Sequence, residues 1–372
     1  MERLDRILTV NAGSSSLKLR ILDRADEVVC SRDADLDGDS EKSGEELAAI
    51  LAAAGGVDAA GHRVVHGGPD FRGPTRLDPP VEGELDRIAD LAPLHNPPAI
   101  AAMRALHELR PGLPSVACFD TAFHATMPAA AATYAVPAAW SQRWPLRRYG
   151  FHGLSHAYAS RRAAELLGRP LAGLRLVTAH LGAGASLAAV AGGRSVDTTM
   201  GFTPLEGLVM ATRSGSVDPG LLLWVQRHGG LGTEEMERAL DREAGLLALS
   251  GRSGDMREVI AGAEEGDERC RLAFDVFVHR IGAGIAAMAA AMGGLDALVF
   301  TGGVGENSPP VRTAAAEASA FLGVALDRTA NDGATADTVL STGEAQVAVV
   351  LVRAREDLEI AAQVRGALGA EG

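Results

Sequence analysis

The chain has 372 residues, a length typical of two domains. Its formal net charge of −13 gives it no overall attraction to nucleic acid or to anionic membranes, so a bound anion must be held by a few local cations. Hydrophobic residues make up 47% of the chain, which is enough for buried cores, and its three widely spaced cysteines exclude a disulfide scaffold or a zinc ribbon.

Short apolar runs predict β-strands, and helical patterns alternate with them. The predicted elements, in chain order, are strands at residues 7–10 and 19–22, a helix at 97–109, a strand at 115–118, a helix at 155–167, strands at 174–178 and 187–190, helices at 233–243 and 269–292, a strand at 297–301, a helix at 309–322 and a strand at 347–352. This alternation is typical of an α/β fold. Two polar segments, residues 33–46 and 327–342, predict solvated surface connections.

Two segments half a chain apart resemble each other. Residues 11–18 and 180–187 each place a turn of small residues between two apolar runs. The similarity indicates either a duplicated domain or two unrelated hairpins, and it does not decide between them.

Three segments rich in small residues could hold an anion through backbone N–H groups. They are residues 13–16, 182–184 and 302–308, and the last follows a predicted strand and precedes a helix that Ser308 could cap. Each segment taken alone is also explained as a tight turn. None ends in the Gly-Lys-Ser/Thr triplet of a P-loop.

Arginines and one carboxylate complete the candidate site. Arg63 and Arg213 lie among glycines in nearly uncharged segments, where they either bind an anionic ligand or pair with a structural carboxylate. Asp120 stands at a strand end, where it either serves the site or caps the following turn. Together with the small-residue segments they predict phosphoryl transfer, which requires positioning and charge neutralisation, with Mg²⁺ bridging phosphates.

These segments follow the motif order of the acetate kinase family, which belongs to the sugar kinase, actin and heat-shock ATPase superfamily. The chain resembles this family essentially from end to end. The matching segments are residues 10–18, 62–68, 119–124, 149–156, 180–186, 200–219, 253–257 and 301–308.

The resemblance implies an α/β fold of two duplicated ribonuclease-H-like domains around a central cleft. Residues 1–121 with 355–372 would form an N-terminal domain closed by the C-terminal helix, and residues 122–354 would form the nucleotide-binding and dimerisation domain. It also implies a cytoplasmic homodimer without nucleic-acid or membrane partners.

The resemblance assigns four catalytic residues. Arg63 and Arg213 would bind the carboxylate substrate and stabilise the transferring phosphoryl group, to which His152 would also donate. Asp120 would orient or activate the acceptor, or hold the metal, and these alternatives stay open.

Two further residues would serve Mg²⁺, or Mn²⁺ in its place. Asn11 would position the metal and phosphate, and Glu356 matches the first acid of the family's C-terminal motif. The alternative for Glu356 is a glutamate on a helix surface, since its flanking residues diverge from the motif.

ATP or ADP would be the co-substrate. The nucleotide would contact Ser14, Ser16, Lys18, His180, Leu181, Gly182, Ala183, Gly184, Asp255, Met256, Arg257, Gly303, Val304, Gly305, Glu306 and Asn307. Two of these residues depart from the family, because Ala183 replaces a usual Asn and Met256 replaces a usual aromatic residue. We therefore expect altered ATP affinity or nucleotide choice.

Arg63 and four further residues, Val65, Leu94, Phe151 and Pro204, match the family's small acyl pocket. A tight apolar pocket at Val65 favours a two-carbon acid, so the resemblance implies reversible transfer from ATP to acetate. The alternatives are a propionate or butyrate kinase of the same superfamily and, in another class, a non-catalytic nucleotide-binding sensor. Retention of the predicted catalytic residues argues against the sensor.

Overall fold

The computed structural model describes residues 4–13, 16–36 and 40–369 of the chain. This part divides into two compact units. The first unit contains the described residues up to Ala125, then Phe151–Tyr158 and the residues from Arg355 onward; the second contains Thr126–Gly150 and Ala159–Ala354. The domain boundaries predicted after residues 121 and 354 are not tested by this division and stay a prediction.

A mixed six-stranded sheet forms the centre of the first unit. Its strands are β1 (Ile7–Ala12), β2 (Ser16–Leu22), β3 (Val28–Asp35), β4 (Ala59–Val64), β5 (Thr75–Arg76) and β6 (Ser115–Phe119). The order across the sheet is β3-β2-β1-β4-β6-β5. Strands β1, β4 and β6 are parallel neighbours, and the other pairings are antiparallel.

The second unit repeats this topology. Its strands are β7 (Arg175–Leu181), β8 (Ala185–Ala191), β9 (Arg194–Thr198), β10 (Ala297–Thr301), β11 (Thr338–Val339) and β12 (Ala348–Leu351). Read from β9, the order is β9-β8-β7-β10-β12-β11, and every pairing has the same direction as its counterpart in the first sheet. The α/β class and the duplicated domain are therefore confirmed, and two unrelated hairpins are excluded.

Helices connect and cover the strands. In chain order they are α1 (Ser40–Ala54), α2 (Pro79–Arg87), α3 (Asn96–Leu109), α4 (Ala129–Ala132), α5 (Ala138–Arg143), α6 (Gly153–Leu166), α7 (Pro219–Gly229), α8 (Thr233–Arg242), α9 (Gly245–Ser250), α10 (Met256–Glu264), α11 (Glu268–Met292), α12 (Gly302–Asn307), α13 (Pro309–Ala318), α14 (Arg328–Gly333) and α15 (Glu356–Gly369).

The two faces of the first sheet bury different helices, because successive strand side chains point to opposite faces. Leu8 and Val10 of β1 belong to a core shared with α1 and α3. Ile7, on the other face, belongs to a core shared with α15. Gly61 of β4 also faces α15, since a Cβ at this position would lie 2.3 Å from Ile360 Cγ2. This alternation decides which strand residues meet the start of α15.

Helix α11 is the core helix of the second unit. In the described part of the chain it is the one helix long and apolar enough to cross a membrane by length and composition, a test that buried core helices also pass. A Cβ at Gly284 would lie 2.6 Å from Leu187 of β8, and one at Gly282 would lie 2.8 Å from Ala318 of α13. The helix predicted at 269–292 is therefore confirmed, and it packs closely against β8 and α13.

The other predicted strands and helices are confirmed, with ends that differ by a few residues; the helix predicted at 309–322 is α13 followed by a short 3₁₀ turn at Ala320–Leu322. Both predicted surface connections are wrong in extent. Residues 33–46 include the end of β3 and the start of α1, and residues 327–342 contain α14 and β11. Edge strands and outward helix faces carry polar residues without being loops, which is why composition misled here.

Candidate active site

Three parallel strands of the first unit bring three polar residues to one edge of the sheet. Asn11 is the penultimate residue of β1, Arg63 is the penultimate residue of β4, and Asp120 follows β6 directly. All three continue the alternation that faces α15, as Gly61 does on β4 and Cys118 does on β6. Ligand sites of α/β folds form at the carboxyl ends of such strands.

A hydrogen-bond network joins these side chains around Arg63. Its Nε lies 3.1 and 3.2 Å from the two Asp120 carboxylate oxygens, and Nη2 lies 2.6 Å from Asp120 Oδ2. Nη1 donates to Asn11 Oδ1 at 3.1 Å. A guanidinium has five N–H groups, so one N–H on each terminal nitrogen remains outside these bonds and can serve an anionic ligand.

Glu356 completes the cluster from the first position of α15. Its Oε2 accepts a hydrogen bond from Asn11 Nδ2 at 3.0 Å and lies 3.8 Å from Arg63 Nη1. The side chain is 18% exposed, so it is accessible to a ligand without projecting from the helix surface. A carboxylate is favoured here because helix N-termini carry partial positive charge.

The ionisation of the cluster is set by burial and by pairing. Burial raises the pKa of the Asp120 carboxyl, and the Arg63 guanidinium opposes that rise. Burial also acts to lower the pKa of Arg63, but Asp120 and Glu356 outweigh it and the pKa is raised. One guanidinium between two carboxylates leaves a net charge near −1, which suits an additional cation.

His152 reaches the same edge through a constrained turn. It is one of the few non-glycine residues with positive φ, at 56°. The following Gly153 donates its N–H to the Asp120 carbonyl oxygen at 2.9 Å, and a Cβ there would lie 2.1 Å from that oxygen. Glycine is therefore required at 153, and its close approach fixes His152 beside Asp120.

The predicted acyl-pocket residues differ in burial. Val65 and Phe151 are buried, whereas Leu94 is 38% exposed. The loop after β4 is held by Asn96, which accepts from the His66 N–H at 3.1 Å and donates to the His66 carbonyl at 2.9 Å.

Two further predicted site residues, Pro204 of the acyl pocket and the catalytic candidate Arg213, lie in the second unit. Arg213 Nε donates to Asp241 Oδ1 at 2.9 Å, and its Nη1 donates to the Pro204 carbonyl at 3.4 Å. The structural ion pair weighed for Arg213 from the sequence therefore exists. The arginine is still 19% exposed and retains donors for a ligand.

The second unit contains a pocket of about 880 Å³, a volume that suits a nucleotide-sized ligand. Eight of the residues predicted for nucleotide binding line it: Gly182, Ala183, Asp255, Met256, Arg257, Gly303, Val304 and Asn307. Three separate sequence motifs thus meet at one cavity.

Backbone geometry shapes the polar end of this pocket. The turn between β7 and β8 closes with Gly182 N donating to the Gly184 carbonyl at 2.9 Å. Gly302, the first residue of α12, has φ of 79°, and a Cβ there would lie 2.8 Å from the Leu181 carbonyl oxygen. Only glycine permits α12 to start so close to β7. Residues 302–307, predicted as a loop, form a helix.

Asp255 and Arg257 act on each other at the pocket's rim. Asp255 caps α10 by accepting from the Arg257 N–H at 2.9 Å, and it also accepts from the Arg257 side chain. Hydrogen bonding to Arg257 lowers the pKa of Asp255. The pocket also has apolar lining, because Met256 and Phe277 face it and are otherwise buried.

Other predicted nucleotide residues lie elsewhere. Leu181 is fully buried in β7, and the Glu306 carboxylate accepts from the Ala354 N–H at 2.8 Å. His180 is the penultimate residue of β7, and Gly184 and Gly305 do not line the pocket. In the first unit, Ser16 and Lys18 lie on β2, with Lys18 exposed opposite Asn11. Ser14 lies outside the described residues.

Sequence reasoning missed eight pocket residues: Ala211, Thr212, Leu246, Gly254, Ile260, Phe277, Ser308 and Pro310. Ala211, Thr212, Gly254 and Ser308 lie within the segments that match the family, so those segments contained the signal for them. Phe277 had none, because an aromatic residue on a core helix has the same pattern whether or not it meets a cavity. Ser308 caps α13 by position, but its hydroxyl makes no cap bond and has no hydrogen-bond partner among the described residues.

Comparison with known proteins finds similarity to one protein family. The model of the acetokinase family matches residues 44–362. The chain is 52% identical to an acetate kinase of Synechococcus sp. over 87% of its own length and 79% of that protein. The crystal structure of Porphyromonas gingivalis acetate kinase matches with a TM-score of 0.90 and 36% identity, over 98% of this chain and all of the other. A propionate kinase from Francisella tularensis matches with a TM-score of 0.89 and 34% identity, over 96% and 98%.

Proposed function

This chain belongs to the acetokinase family, and it transfers a phosphoryl group reversibly between ATP and acetate; from this premise we propose how its residues divide the work. The observation that carries the proposal is the Arg63 network. A guanidinium held on one side by Asp120 and Asn11 presents its remaining N–H groups in a fixed direction. Such a fork matches a carboxylate or a phosphoryl group.

We propose that Asp120 acts as a positioning residue for Arg63. Both of its carboxylate oxygens bind Arg63, and its side chain is 1% exposed. Acetate is already a carboxylate and needs no base to become a nucleophile. Of the three roles left open by the sequence, orientation fits this geometry best, and it acts through Arg63 rather than on acetate directly.

The transfer itself would be direct and in line. An acetate oxygen forms a bond to the γ-phosphorus while the bond from that phosphorus to the ADP oxygen breaks, so no phosphoenzyme is required. We propose that Arg63, Arg213 and His152 stabilise the charge on the transferring group by electrostatics. Aligned donors of this kind each contribute about 10²–10³-fold in rate.

We propose Glu356 as the direct carboxylate ligand of a divalent cation, with Asn11 orienting it. The Glu356 carboxylate offers the hard oxygen atoms that Mg²⁺ or Mn²⁺ prefers, and Asn11 holds it by donating from Nδ2 while its own Oδ1 accepts from Arg63 Nη1. Such a cation would be held mainly by one carboxylate, phosphates and water. When bound, the cation would neutralise phosphate charge.

ATP or ADP would occupy the pocket of the second unit. The apolar side of Met256 and Phe277 suits a base, and the glycine turns at Gly182 and Gly303 allow close approach of backbone N–H groups to phosphates. The expected effect of Ala183 and Met256 on nucleotide choice stays part of this proposal.

The test is acyl phosphate formation, trapped as the hydroxamate, with acetate, propionate and butyrate. We expect acetate to give the highest kcat/KM. Val65→Ala should raise the propionate-to-acetate ratio by about tenfold, since one methylene changes specificity by roughly 10–200-fold. A wild-type preference for propionate would favour the alternative that the chain is a propionate kinase, and the solved propionate kinase has a TM-score of 0.89 to this chain. Absence of acyl phosphate from all three acids would refute the enzyme.

We infer that the chain forms a homodimer through α7 of the second unit. No residue of this helix is buried, and Leu221, Leu223 and Trp224 are 49%, 59% and 57% exposed. Leu221 and Trp224 lie three residues apart and share one face of the helix, Leu223 adds a further exposed apolar side chain, and such exposed apolar surface is typical of an interface. Light scattering of the wild type should give twice the mass of one chain, and the Leu223→Glu variant should have the mass of a single chain. A monomeric wild type would contradict the inference.

We also propose a cytoplasmic location. The cysteines Cys30, Cys118 and Cys270 are all free, and the last two are buried, as expected in a reducing compartment. Fractionation of cells should recover the protein with soluble cytoplasmic markers, and recovery with membranes or an exported fraction would contradict this.

A further inference from the structure

Glu306 stands on the helix that lines the nucleotide pocket, but its carboxylate is directed to another part of the chain. Its neighbours Val304 and Asn307 line the pocket. Glu306 Oε1 instead accepts the backbone N–H of Ala354 at 2.8 Å, and Oε2 lies 3.6 Å from Arg353 Nε. The side chain is 15% exposed, so this is a largely shielded, charge-assisted hydrogen bond.

The bonded amide precedes the point where the chain passes from the second unit to the first. Ala354 is the last residue of the second unit, and Arg355 begins the final segment of the first. The next residue, Glu356, opens α15 and receives the hydrogen bond from Asn11. Two peptide bonds therefore separate the amide held by Glu306 from the proposed metal ligand.

Three successive amides after β12 are held by three separate parts of the second unit. Val352 N donates to the Phe300 carbonyl at 2.9 Å, Arg353 N donates to Asp337 Oδ1 at 2.8 Å, and Ala354 N donates to Glu306. Of these acceptors, Glu306 alone belongs to α12. It is thus the direct link from the pocket helix to this segment.

The carboxyl end of α12, where Glu306 stands, is held by hydrogen bonds from Arg312. Arg312 is fully buried and donates to the carbonyl oxygens of Gly305 and Glu306 at 2.9 and 2.7 Å. It also donates to Asn331 Oδ1 at 2.7 Å. Because the helix is short and its carboxyl end is held, we expect it to move as a rigid element.

We propose that Glu306 is a positioning residue that couples nucleotide binding at α12 to the placement of Glu356. The coupling rests on the proposed nucleotide pocket and metal ligand. A nucleotide that restricts the motion of α12 also restricts the Ala354 amide, because Glu306 joins the two. Glu356, two residues further on, then stays in its metal-binding position for a larger share of the time. By linkage, occupancy at either place strengthens binding at the other.

The test compares Glu306→Ala and Glu306→Gln in the full-length protein. Glutamine keeps an oxygen that can accept the Ala354 N–H, whereas alanine removes it. Glu317→Ala is the matched control, because Glu317 is an exposed glutamate of neighbouring α13 whose carboxylate pairs with Arg328. The direct readout is hydrogen exchange of the peptide that contains Ala354, with and without ADP in metal-free buffer.

We expect ADP to slow exchange at Ala354 in wild type, in Glu317→Ala and, in weaker form, in Glu306→Gln. In Glu306→Ala exchange should be faster and insensitive to ADP. The half-saturating Mg²⁺ concentration of the enzyme should rise about fivefold or more in Glu306→Ala, with KM for acetate unchanged. If alanine prevents folding, Glu306→Asp, which withdraws the carboxylate by one methylene, must show the same two effects.

A merely structural glutamate would give a lower melting temperature with normal ADP protection at Ala354 and a normal Mg²⁺ requirement, which would overturn the proposal. Failure of the proposed function is a separate result. In that case wild type forms no acyl phosphate, while the exchange measurements still decide whether Glu306 connects the pocket to Ala354.

Discussion

The two units share one topology but build their sites from different materials. In the first unit, strand ends present charged and amide side chains, and Arg63, Asp120, Asn11 and Glu356 bind one another directly. In the second unit, the equivalent strands lead into glycine turns and a pocket whose named polar side chains bond mostly to their own backbone or to each other.

The difference indicates that a duplicated fold can carry two chemistries. The charged site depends on the identity of a few side chains, whereas the pocket depends on backbone shape. Substitutions in the Arg63 network should therefore act on the rate of transfer, and those in residues that line the pocket should act on nucleotide affinity.

The largest effect is expected for Arg63→Ala. It removes the guanidinium and leaves Asp120 buried without its partner, so kcat should fall by about 10³-fold or more, and stability should fall by roughly 3–5 kcal/mol. Hydroxamate assays and thermal unfolding measure the two losses. Arg20→Ala, which breaks a partly exposed pair with Asp33 on the same sheet, should change neither by much.

Acidification should destabilise the first unit. Burial lowers the pKa of His62 to about 4, and burial likewise lowers the pKa of His124 to about 4, while an unfolded histidine titrates near 6.5. Between these values the unfolded chain binds more protons, so stability rises with pH through this window and is lost as pH falls through it.

At pH 5 each histidine should cost about 2 kcal/mol relative to neutral pH. The ring nitrogens of His62 have no hydrogen-bond partner in the ranges that the structure covers, so His62→Leu should remove its share of the pH dependence. Urea unfolding at pH 7 and pH 5 measures it. If the difference in unfolding free energy between pH 7 and pH 5 is the same in His62→Leu as in wild type, His62 does not remain neutral in the folded protein.

Gly302→Ala should weaken nucleotide binding. An alanine at this position would be strained by the positive φ, and its methyl group would press on the Leu181 carbonyl and force α12 away from β7. Strain of about 1–3 kcal/mol corresponds to a rise in KM for ATP of roughly tenfold, with KM for acetate unchanged. Gly333→Ala, where a Cβ meets nothing within 4 Å, is the control. Equal changes in both KM values would contradict the division of labour.

Ala183→Asn should have the smallest effect and would add a side-chain donor to a backbone site. Ala183 is exposed in the turn between β7 and β8 and lines the pocket. One neutral hydrogen bond should lower KM for ATP, GTP and CTP together by about two- to tenfold, because phosphates are common to all three. Unchanged KM values would exclude the turn as a phosphate contact.

Strand periodicity and motif order predicted much of this architecture, since hydrophobic patterns record which faces are buried. Residue type also singled out Arg63 and Asp120 separately. Their pairing depends on the parallel order β1-β4-β6, which no local pattern contains. The same limit explains Glu306, whose carboxylate finds an amide 48 residues away.

The glycine-rich segment 302–307 shows a second limit. Local helix propensity predicts a loop there, because glycine is among the poorest helix formers. The structure forms α12 because Arg312 satisfies the carbonyl groups at its end and Gly302 allows its tight start. Tertiary contacts, rather than local sequence, decide this element.

The most direct test of the account is ADP binding, measured by calorimetry, to wild type and Arg63→Ala. If the Arg63 network serves the transfer step and the pocket of the second unit holds the nucleotide, the Kd for ADP should differ by less than about twofold while acyl phosphate formation falls by about 10³-fold. A loss of ADP affinity comparable to the loss of rate would contradict it.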